Sequence, residues 1–306
     1  MSDVTTTVTT DARARSLPSP SKARRPAPLS VAAPRRSASR TLASVSLALV
    51  AAAFLIPLAW LLLAAFDPAA TYETRIPQTL SLENFEAVLT PQITFIPLGN
   101  SLLLSTSTAI ITVVVALLAA YPLSRYRSRF HRGVMYGVLF GTCLPITAIM
   151  VPVYSLFVVI GLLDSMVGTI LFLTASSLPM AVFMTKNFMD SVPVSLEEAA
   201  WIDGATAMRA LREIVIPLMR PGIAVVFVFV FLQAWGNFFV PFVLLFSPEK
   251  QPAATSIYTF FGQFGSIAYG QLAAFSMLYS IPVIVLYIVA SRLIGGSFAL
   301  AGSVKG

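Results

Sequence analysis

Six long apolar runs constrain the fold of this 306-residue chain more than any other feature. A helix needs about 20 apolar residues to cross the hydrocarbon core of a membrane, and each run reaches that length. The composition agrees, since 57% of the residues are hydrophobic and only 11% are charged, against roughly 25% charged in soluble domains. The sequence therefore predicts a membrane domain over residues 41–293, with spans at 41–66, 98–122, 134–160, 167–188, 219–246 and 271–293.

The basic residues predict how these spans are oriented. Of the 20 Lys and Arg residues, all but Arg75 and Lys250 fall on the side that holds both termini and the loop between spans four and five. Positive charge accumulates on the cytoplasmic side of such proteins, so both termini are expected in the cytoplasm. The net charge of +7 follows from this asymmetry, and no nucleic-acid partner is needed to explain it.

The two ends of the chain differ in composition from the spans. Residues 1–40 are rich in Pro, Ser, Ala and Arg, and Asp3 and Asp11 are their only acidic residues. Such a segment cannot bury enough apolar surface to fold alone, which predicts a disordered basic cytoplasmic tail. An organellar transit peptide is the alternative interpretation. Residues 294–306 are predicted to form a second cytoplasmic tail.

The sequence lacks the residues that would let this chain couple ions, bind ATP or catalyse a reaction by itself. No Asp, Glu, Lys or Arg lies in the middle of any span, although proton- or sodium-coupled carriers usually place ionisable groups there. The chain also lacks a G-x-x-x-x-G-K-[ST] segment for ATP phosphates, and a single cysteine, Cys143, excludes an internal disulfide. We therefore predict no catalytic residue, no metal site and no cofactor bound by this chain. A transporter of this kind must take energy from a partner or be a passive pore.

Uncharged polar residues inside the spans are candidates for a translocation pathway. Four of them share one face of span two: Ser101, Ser105, Thr108 and Thr112. Packing between helices is the simpler explanation of this face. The predicted pathway residues are Gln233, Trp235 and Asn237 in span five, Ser176 and Ser177 in span four, and Thr147 in span three. An amide is costly to leave facing lipid and suits sugar hydroxyls, so Gln233 and Asn237 lead this set.

The loop between spans four and five, residues 189–218, is polar and helix-forming; we call it the coupling segment. Ser195 and Glu198 are spaced as a capping box at the start of a helix, and Asp203-Gly204 predicts where that helix ends. A second short helix is predicted to place on one face Met208, Leu211 and Val215. A hairpin lying on the lipid headgroups is an alternative interpretation of the segment.

Within the coupling segment, Glu198-Ala199-Ala200, Asp203-Gly204-Ala205, Ile214 and Pro217 resemble the signature loop of the membrane subunits of bacterial ABC importers. The resemblance to carbohydrate-type, particularly maltose-type, permeases extends over residues 41–306. It implies an all-α membrane protein with six transmembrane helices and a cytoplasmic coupling-helix loop, the type I importer architecture. It also implies docking to an ATPase subunit through Glu198, Ala199, Ala200, Asp203, Gly204 and Pro217.

The resemblance implies a function and a set of partners. The chain is expected to be a bacterial inner-membrane permease subunit that imports a sugar by alternating access, and not an enzyme. The implied partners are the lipid bilayer, a second permease subunit in a heterodimer, two ATPase subunits that use ATP and Mg, and an external sugar-binding protein facing residues 247–270. A permease for polyamines or another solute, a passive channel or carrier, and a membrane scaffold remain alternatives.

Overall fold

The computed structural model describes the backbone of residues 36–73, 76–126, 131–261 and 267–302, and the side chains of 42–73, 76–126, 133–261 and 267–292. Within these ranges the chain is helical, without a β-strand, and one isolated bridge joins Phe261 to Ile267. The predicted all-α fold is confirmed. The predicted tail residues 1–35 and 303–306 lie outside the described residues.

The helices follow one another along the chain with short connections. The longer ones are α1 (Arg36–Ala65), α3 (Ile96–Arg125), α4 (His131–Thr142), α5 (Ile146–Val159), α6 (Met166–Asp190), α10 (Arg220–Trp235) and α13 (Tyr269–Gly302). The shorter ones are α2 (Glu83–Val88), α7 (Val194–Ile202), α8 (Ala207–Ala210), α9 (Ile216–Leu218), α11 (Phe239–Leu244) and α12 (Ala253–Ser256). Single π-helical turns lie at Pro91–Phe95 and Leu211–Val215, and 3-10 turns at Pro248–Lys250 and Ile257–Phe260.

The chain divides into two compact units, residues 1–53 and 54–306. In the first unit the described residues form the first part of α1, whose side chains from 42 to 53 are all exposed. This helix begins at Arg36, five residues inside the predicted N-terminal tail. The second unit holds the end of α1 and all the other helices.

In the part of the chain that the structure describes, the lengths and composition of the helices indicate four to six spans. Four unbroken stretches are long and apolar enough to cross a membrane: Leu42–Ala65, Pro91–Arg125, Met166–Asp190 and Tyr269–Arg292. Two further candidates are pairs of bent helices, Gly133–Thr142 with Ile146–Val159 and Ala207–Leu218 with Arg220–Trp235. Counting each bent pair as one span gives at most six, the number predicted, but the second pair begins at Ala207, inside the coupling segment, and not at residue 219.

The predicted span over residues 134–160 is a bent pair of helices, α4 and α5. The backbone turns by 91° between α4 and α5, where Pro145 adopts an extended conformation with φ −68° and ψ 124°. Proline lacks the N–H that would continue α4, and its ring disfavours a helical residue before it. By contrast, Pro179 lies inside α6, which runs unbroken from Met166 to Asp190.

The predicted span over residues 219–246 is also interrupted. Helix α10 ends at Trp235, and α11 begins at Phe239. Between them the side-chain oxygen of Asn237 accepts a hydrogen bond of 3.0 Å from the backbone N–H of Val240. This side chain satisfies one of the free N–H groups in the first turn of α11.

Helix α3 packs against α6 and α10, and its small polar face is buried. Ser101, Ser105, Thr108 and Thr112 are each at most 2% exposed. The Ser105 hydroxyl donates to the carbonyl of Ser101 over 2.6 Å, and the Ser101 hydroxyl accepts from the N–H of Ala253 over 2.8 Å. Small side chains that bond to nearby backbone let helices approach closely, which supports the packing interpretation of this face.

The contact between α10 and α6 depends on the absence of a side chain at Gly222. A Cβ atom there would lie 2.6 Å from Cγ and 2.8 Å from Cβ of Phe188. Gly222→Ala should therefore lower the stability by about 1–3 kcal/mol, the usual cost of overpacking, measured by thermal unfolding in detergent. Gly99→Ala on α3 is the control, since no heavy atom lies within 4 Å of its added Cβ. Equal melting temperatures for the two variants would contradict the packing described.

Candidate functional site

The coupling segment folds as two short helical pieces joined by a tight turn, as predicted. Helix α7 begins after Pro193, which occupies its N-cap position with φ −59° and ψ 126°. The predicted capping box is therefore wrong: Ser195 lies inside the first turn, and no side chain caps this helix. Proline has a fixed backbone angle φ and no N–H that needs a partner, so it can precede the first residue of a helix. The helix therefore starts at Val194, two residues earlier than it would with Ser195 as the N-cap.

The end of α7 is the turn that Asp203-Gly204 predicts. Gly204 has a φ of +84°, which glycine adopts without the steric cost of a Cβ. Its N–H donates to the carbonyl of Trp201 over 3.0 Å, and that of Ala205 donates to Ala200 over 2.9 Å. These two bonds are the Schellman pattern that closes a helix.

The second piece starts at Thr206, whose hydroxyl accepts from the N–H of Arg209 over 3.3 Å. Leu211 and Val215 are buried as predicted, at 2% and 0% exposed, but Met208 is 59% exposed. A π-helical turn over Leu211–Val215 adds a residue per turn and shifts the buried face. Ala210 is buried on this face, where Met208 was predicted.

Much of the coupling segment faces outward. Of the predicted docking residues, Glu198, Ala199, Asp203 and Gly204 are exposed, and Ala200 and Pro217 are half-buried. Large apolar side chains are exposed beside them, with Ile202 at 87% and Trp201 at 37%. An exposed apolar surface next to small residues, outside the apolar spans, is typical of a protein–protein contact.

Sequence reasoning missed Glu197, the neighbour of the predicted docking residue Glu198. Its side chain is fully buried beneath α7. One carboxylate oxygen accepts from the Tyr121 hydroxyl over 2.8 Å, and the other accepts from Nε of Arg125 over 2.6 Å. More than 70 residues separate the partners, so no local spacing could have revealed the pair.

At the other end of α6, Asp164 joins two loops. Its backbone has a φ of 53°, and its carboxylate accepts from the N–H groups of Phe246 and Ser247, over 3.0 and 3.1 Å, and from Nζ of Lys250 over 2.8 Å. Burial opposes the charged form, but these hydrogen bonds outweigh burial and hold the pKa of Asp164 well below its usual range. The loop before α6 is thereby fixed to the segment that follows α11.

A cavity of about 680 Å³ lies beside α6 and α10, within the usual size range of small-molecule sites. Four of the predicted pathway residues line it: Ser176, Ser177, Gln233 and Asn237. Thr142 and Leu144, from the break between α4 and α5, line it as well. The lining contains no charged residue. The structure thus brings together polar side chains from three predicted spans, and their role in translocation stays a prediction.

Two predicted pathway residues, Trp235 and Thr147, do not line this cavity. On α10, residue 235 points about 200° away from residue 233, and Asn237 lies in the connection after this helix. Trp235 is 3% exposed, and its ring stacks between those of Phe231 and Tyr279 at centroid distances of 5.6 and 5.0 Å. Thr147 is exposed in the first turn of α5.

Residues 112–296 match the family described as "Binding-protein-dependent transport system inner membrane component". The match covers more than half of the chain, so the chain belongs to this family. It is a multi-pass, inner-membrane permease subunit of an ABC transporter, the class that the coupling segment and the bent spans indicate.

Several relatives have been named for their transport systems. The glucose import system permease protein GlcU of Saccharolobus solfataricus is 30% identical over 86% of this chain and 94% of its own length. The diacetylchitobiose uptake system permease protein DasC of Streptomyces coelicolor is 28% identical over 82% and 91%. A solved bacterial ABC transporter involved in the import of alginate shares the fold, with a TM-score of 0.73 and 21% identity over 83% of this chain and 96% of that chain.

The Asp164 contacts predict a pH-dependent contribution to stability. Asp164→Asn should lower the melting temperature at neutral pH because the Lys250 ammonium loses its anionic partner. A carboxyl with a depressed folded pKa stabilises the fold above its ordinary pKa of about 3.9 and loses this effect as the pH falls towards the folded value. Thermal unfolding of the two proteins from pH 7 downwards should therefore show a difference that narrows below about pH 4.

Glu213→Gln is the control, since its ion pair with Arg209 is 60–65% exposed and such pairs contribute little. A pH-independent difference for Asp164→Asn would contradict the ionic nature of this contact.

Proposed function

We propose that this chain is the membrane-spanning permease subunit of an ATP-driven importer. Its substrate is a sugar, and more specifically an oligosaccharide, which it carries into the cell. The observation that carries the proposal is the exposed coupling segment, a short helix closed by a Gly204 turn in a chain of this family. Relatives named for diacetylchitobiose, trehalose and glucose support the substrate class.

Partner subunits supply the energy for transport in this proposal. Two ATPase subunits bind ATP and Mg, and this chain holds no cofactor. Closure of the ATPase dimer displaces the coupling segment, which it contacts through Glu198 and the small surface of Ala199, Ala200 and Gly204. The spans then change from inward- to outward-facing. This arrangement places the coupling segment and both termini in the cytoplasm, in agreement with the distribution of basic residues.

The lining of the cavity favours a sugar over a polyamine. Hydroxyls and amides line it without any carboxylate, and a buried cation needs a negative partner. Neutral donors and acceptors match the hydroxyl groups of a sugar. A second permease subunit is expected to complete the pathway in a heterodimer.

An external sugar-binding protein is expected to dock at the opposite end from the coupling segment. The loop from Ser247 to Phe261 is held there by Asp164 and by Asn100, whose side-chain amide donates to the carbonyls of Glu249 and Gln251 over 2.8 and 3.1 Å. A loop fixed in this way offers a preformed surface to a partner. Residues 262–266, which include Gln263 and Phe264, lie outside the described residues.

Gly204→Asp should abolish both co-purification of the ATPase subunits and uptake, because it introduces a side chain and a charge at the close contact. The variant should still insert into the membrane. Gly161→Asp is the matched control: Gly161 also has a positive φ, +69°, but lies at the opposite end of the molecule. Normal ATPase binding by Gly204→Asp would contradict the docking assignment.

Gln233→Met keeps the size of the side chain and removes its hydrogen bonds. If Gln233 contacts the sugar, the loss of one or two such bonds, about 1 kcal/mol each, should raise KM by about tenfold. The assay is uptake of labelled trehalose, glucose or diacetylchitobiose by proteoliposomes containing the complete transporter. Thr147→Val, outside the cavity, should leave KM unchanged.

The same proteoliposomes separate the alternative functions. Flux without ATPase subunits and ATP would identify a passive channel or carrier. Competition of uptake by spermidine would favour a polyamine permease. Isolation of the chain without any ATPase would favour a membrane scaffold.

A further inference from the structure

The end of helix α3 and the first turn of α7 are joined by a buried ion pair. Glu197 and Arg125 have side chains 0% and 2% exposed, and Nε of Arg125 lies 2.6 Å from the carboxylate. The Tyr121 hydroxyl, one turn earlier on α3, donates to the second carboxylate oxygen over 2.8 Å. Both oxygens of Glu197 are therefore bonded to α3.

Two further N–H groups of Arg125 are used as well. Nη2 donates to the carbonyl of Val192, in the connection between α6 and α7, over 3.3 Å, and Nη1 donates to the Ser124 hydroxyl over 3.0 Å. That hydroxyl donates to the carboxylate of Asp190 at the end of α6. The network thus connects three elements at one point: α3, α6 and α7.

Around Glu197 and Arg125, which are buried, apolar residues limit access of water. Tyr121 belongs to a buried cluster with Met189, Val192, Leu211 and Val215, which come from α6, the connection and the second piece of the coupling segment. In such surroundings a charge cannot lose its partner cheaply, because the remaining charge stays buried and unpaired. Helix α7 therefore cannot slide away from α3 without a large penalty.

The exposed pair Arg209–Glu213 shows the contrast within the same segment. Its side chains are 65% and 60% exposed, so water replaces either partner at little cost. The exposed pair lies within one helical piece, whereas the buried pair joins two helices and resists their separation.

We propose that Glu197 and Arg125 are positioning residues that make α7 and the end of α3 move as one rigid body. The inference rests on the proposed function, which supplies the ATPase that displaces α7. Adjacent glutamates then have different roles: Glu198 faces the ATPase, and Glu197 faces inward and carries the displacement to α3. Because α3 packs against α6 and α10, a displacement of its end reaches the helices that flank the cavity.

The test measures whether α7 and α3 keep their distance during the ATPase cycle. In the complete transporter, with Cys143→Ser, spin labels are attached through Leu118→Cys on α3 and Ser195→Cys on α7, both at exposed positions. Pulsed electron paramagnetic resonance then gives the distance between labels without nucleotide and with ATP and vanadate. We expect one narrow distance that is the same in both states.

Glu197→Gln should broaden this distance or make it depend on nucleotide, and Glu213→Gln should leave it as in the parent. A distance that changes with nucleotide in the parent protein, or one unchanged by Glu197→Gln, would overturn the proposal. Should Glu197→Gln fail to assemble, Tyr121→Phe removes one hydrogen bond while keeping the ion pair, and should still broaden the distance. An unchanged distance in Tyr121→Phe then overturns the proposal.

Coupling of transport to hydrolysis gives the second measurement. Glu197→Gln should retain the ATPase subunits and ATP hydrolysis, while uptake per ATP hydrolysed falls by about 5-fold or more, as for a lost coupling between sites. The sugar is whichever of trehalose, glucose and diacetylchitobiose the parent transporter imports. An uptake-to-hydrolysis ratio equal to that of Glu213→Gln would refute the inference alone, whereas a parent protein without ATP-dependent uptake would refute the proposed function.

Discussion

Backbone N–H and C=O groups have no water to bond with inside a membrane, so a spanning chain must satisfy them within its own helices. Regular helix is interrupted at Pro145 and around Asn237, where that rule is locally broken. Both breaks contribute residues to the polar cavity. Irregular backbone at membrane depth is tolerated where it lines a cavity or is buried in protein. The interruptions and the candidate pathway therefore follow from one constraint.

Charge is confined to the two ends of the helices for the same reason. At one end Asp164 and Lys250 join the loop before α6 to the loop after α11. At the other, Glu197 and Arg125 join α7 to α3. Each carboxylate is surrounded by donors, as a charge removed from water requires. Between these ends, the helices are packed by small residues such as Ser105 and Gly222.

Local signals predicted the parts of the site that depend on neighbouring residues. Gly204 ends α7 because only a residue without a Cβ adopts its backbone conformation freely. Gln233, in the last turn of α10, and Asn237, in the connection after this helix, reach the same cavity. Trp235, two residues after Gln233 on α10, points about 200° away from it, and this could have been derived from the sequence. The capping box failed because Pro193 competes for the start of α7.

The sequence by itself determined the all-α membrane fold and the helix–turn–helix of the coupling segment, since hydrophobic length and turn chemistry are local properties. Only the tertiary structure decided that Glu197 faces inward while Glu198 faces outward, and that Arg125 is its partner. Helices far apart in the chain must pack before such a pair can form. The burial that makes the pair strong is created by this packing, and the local sequence cannot specify it.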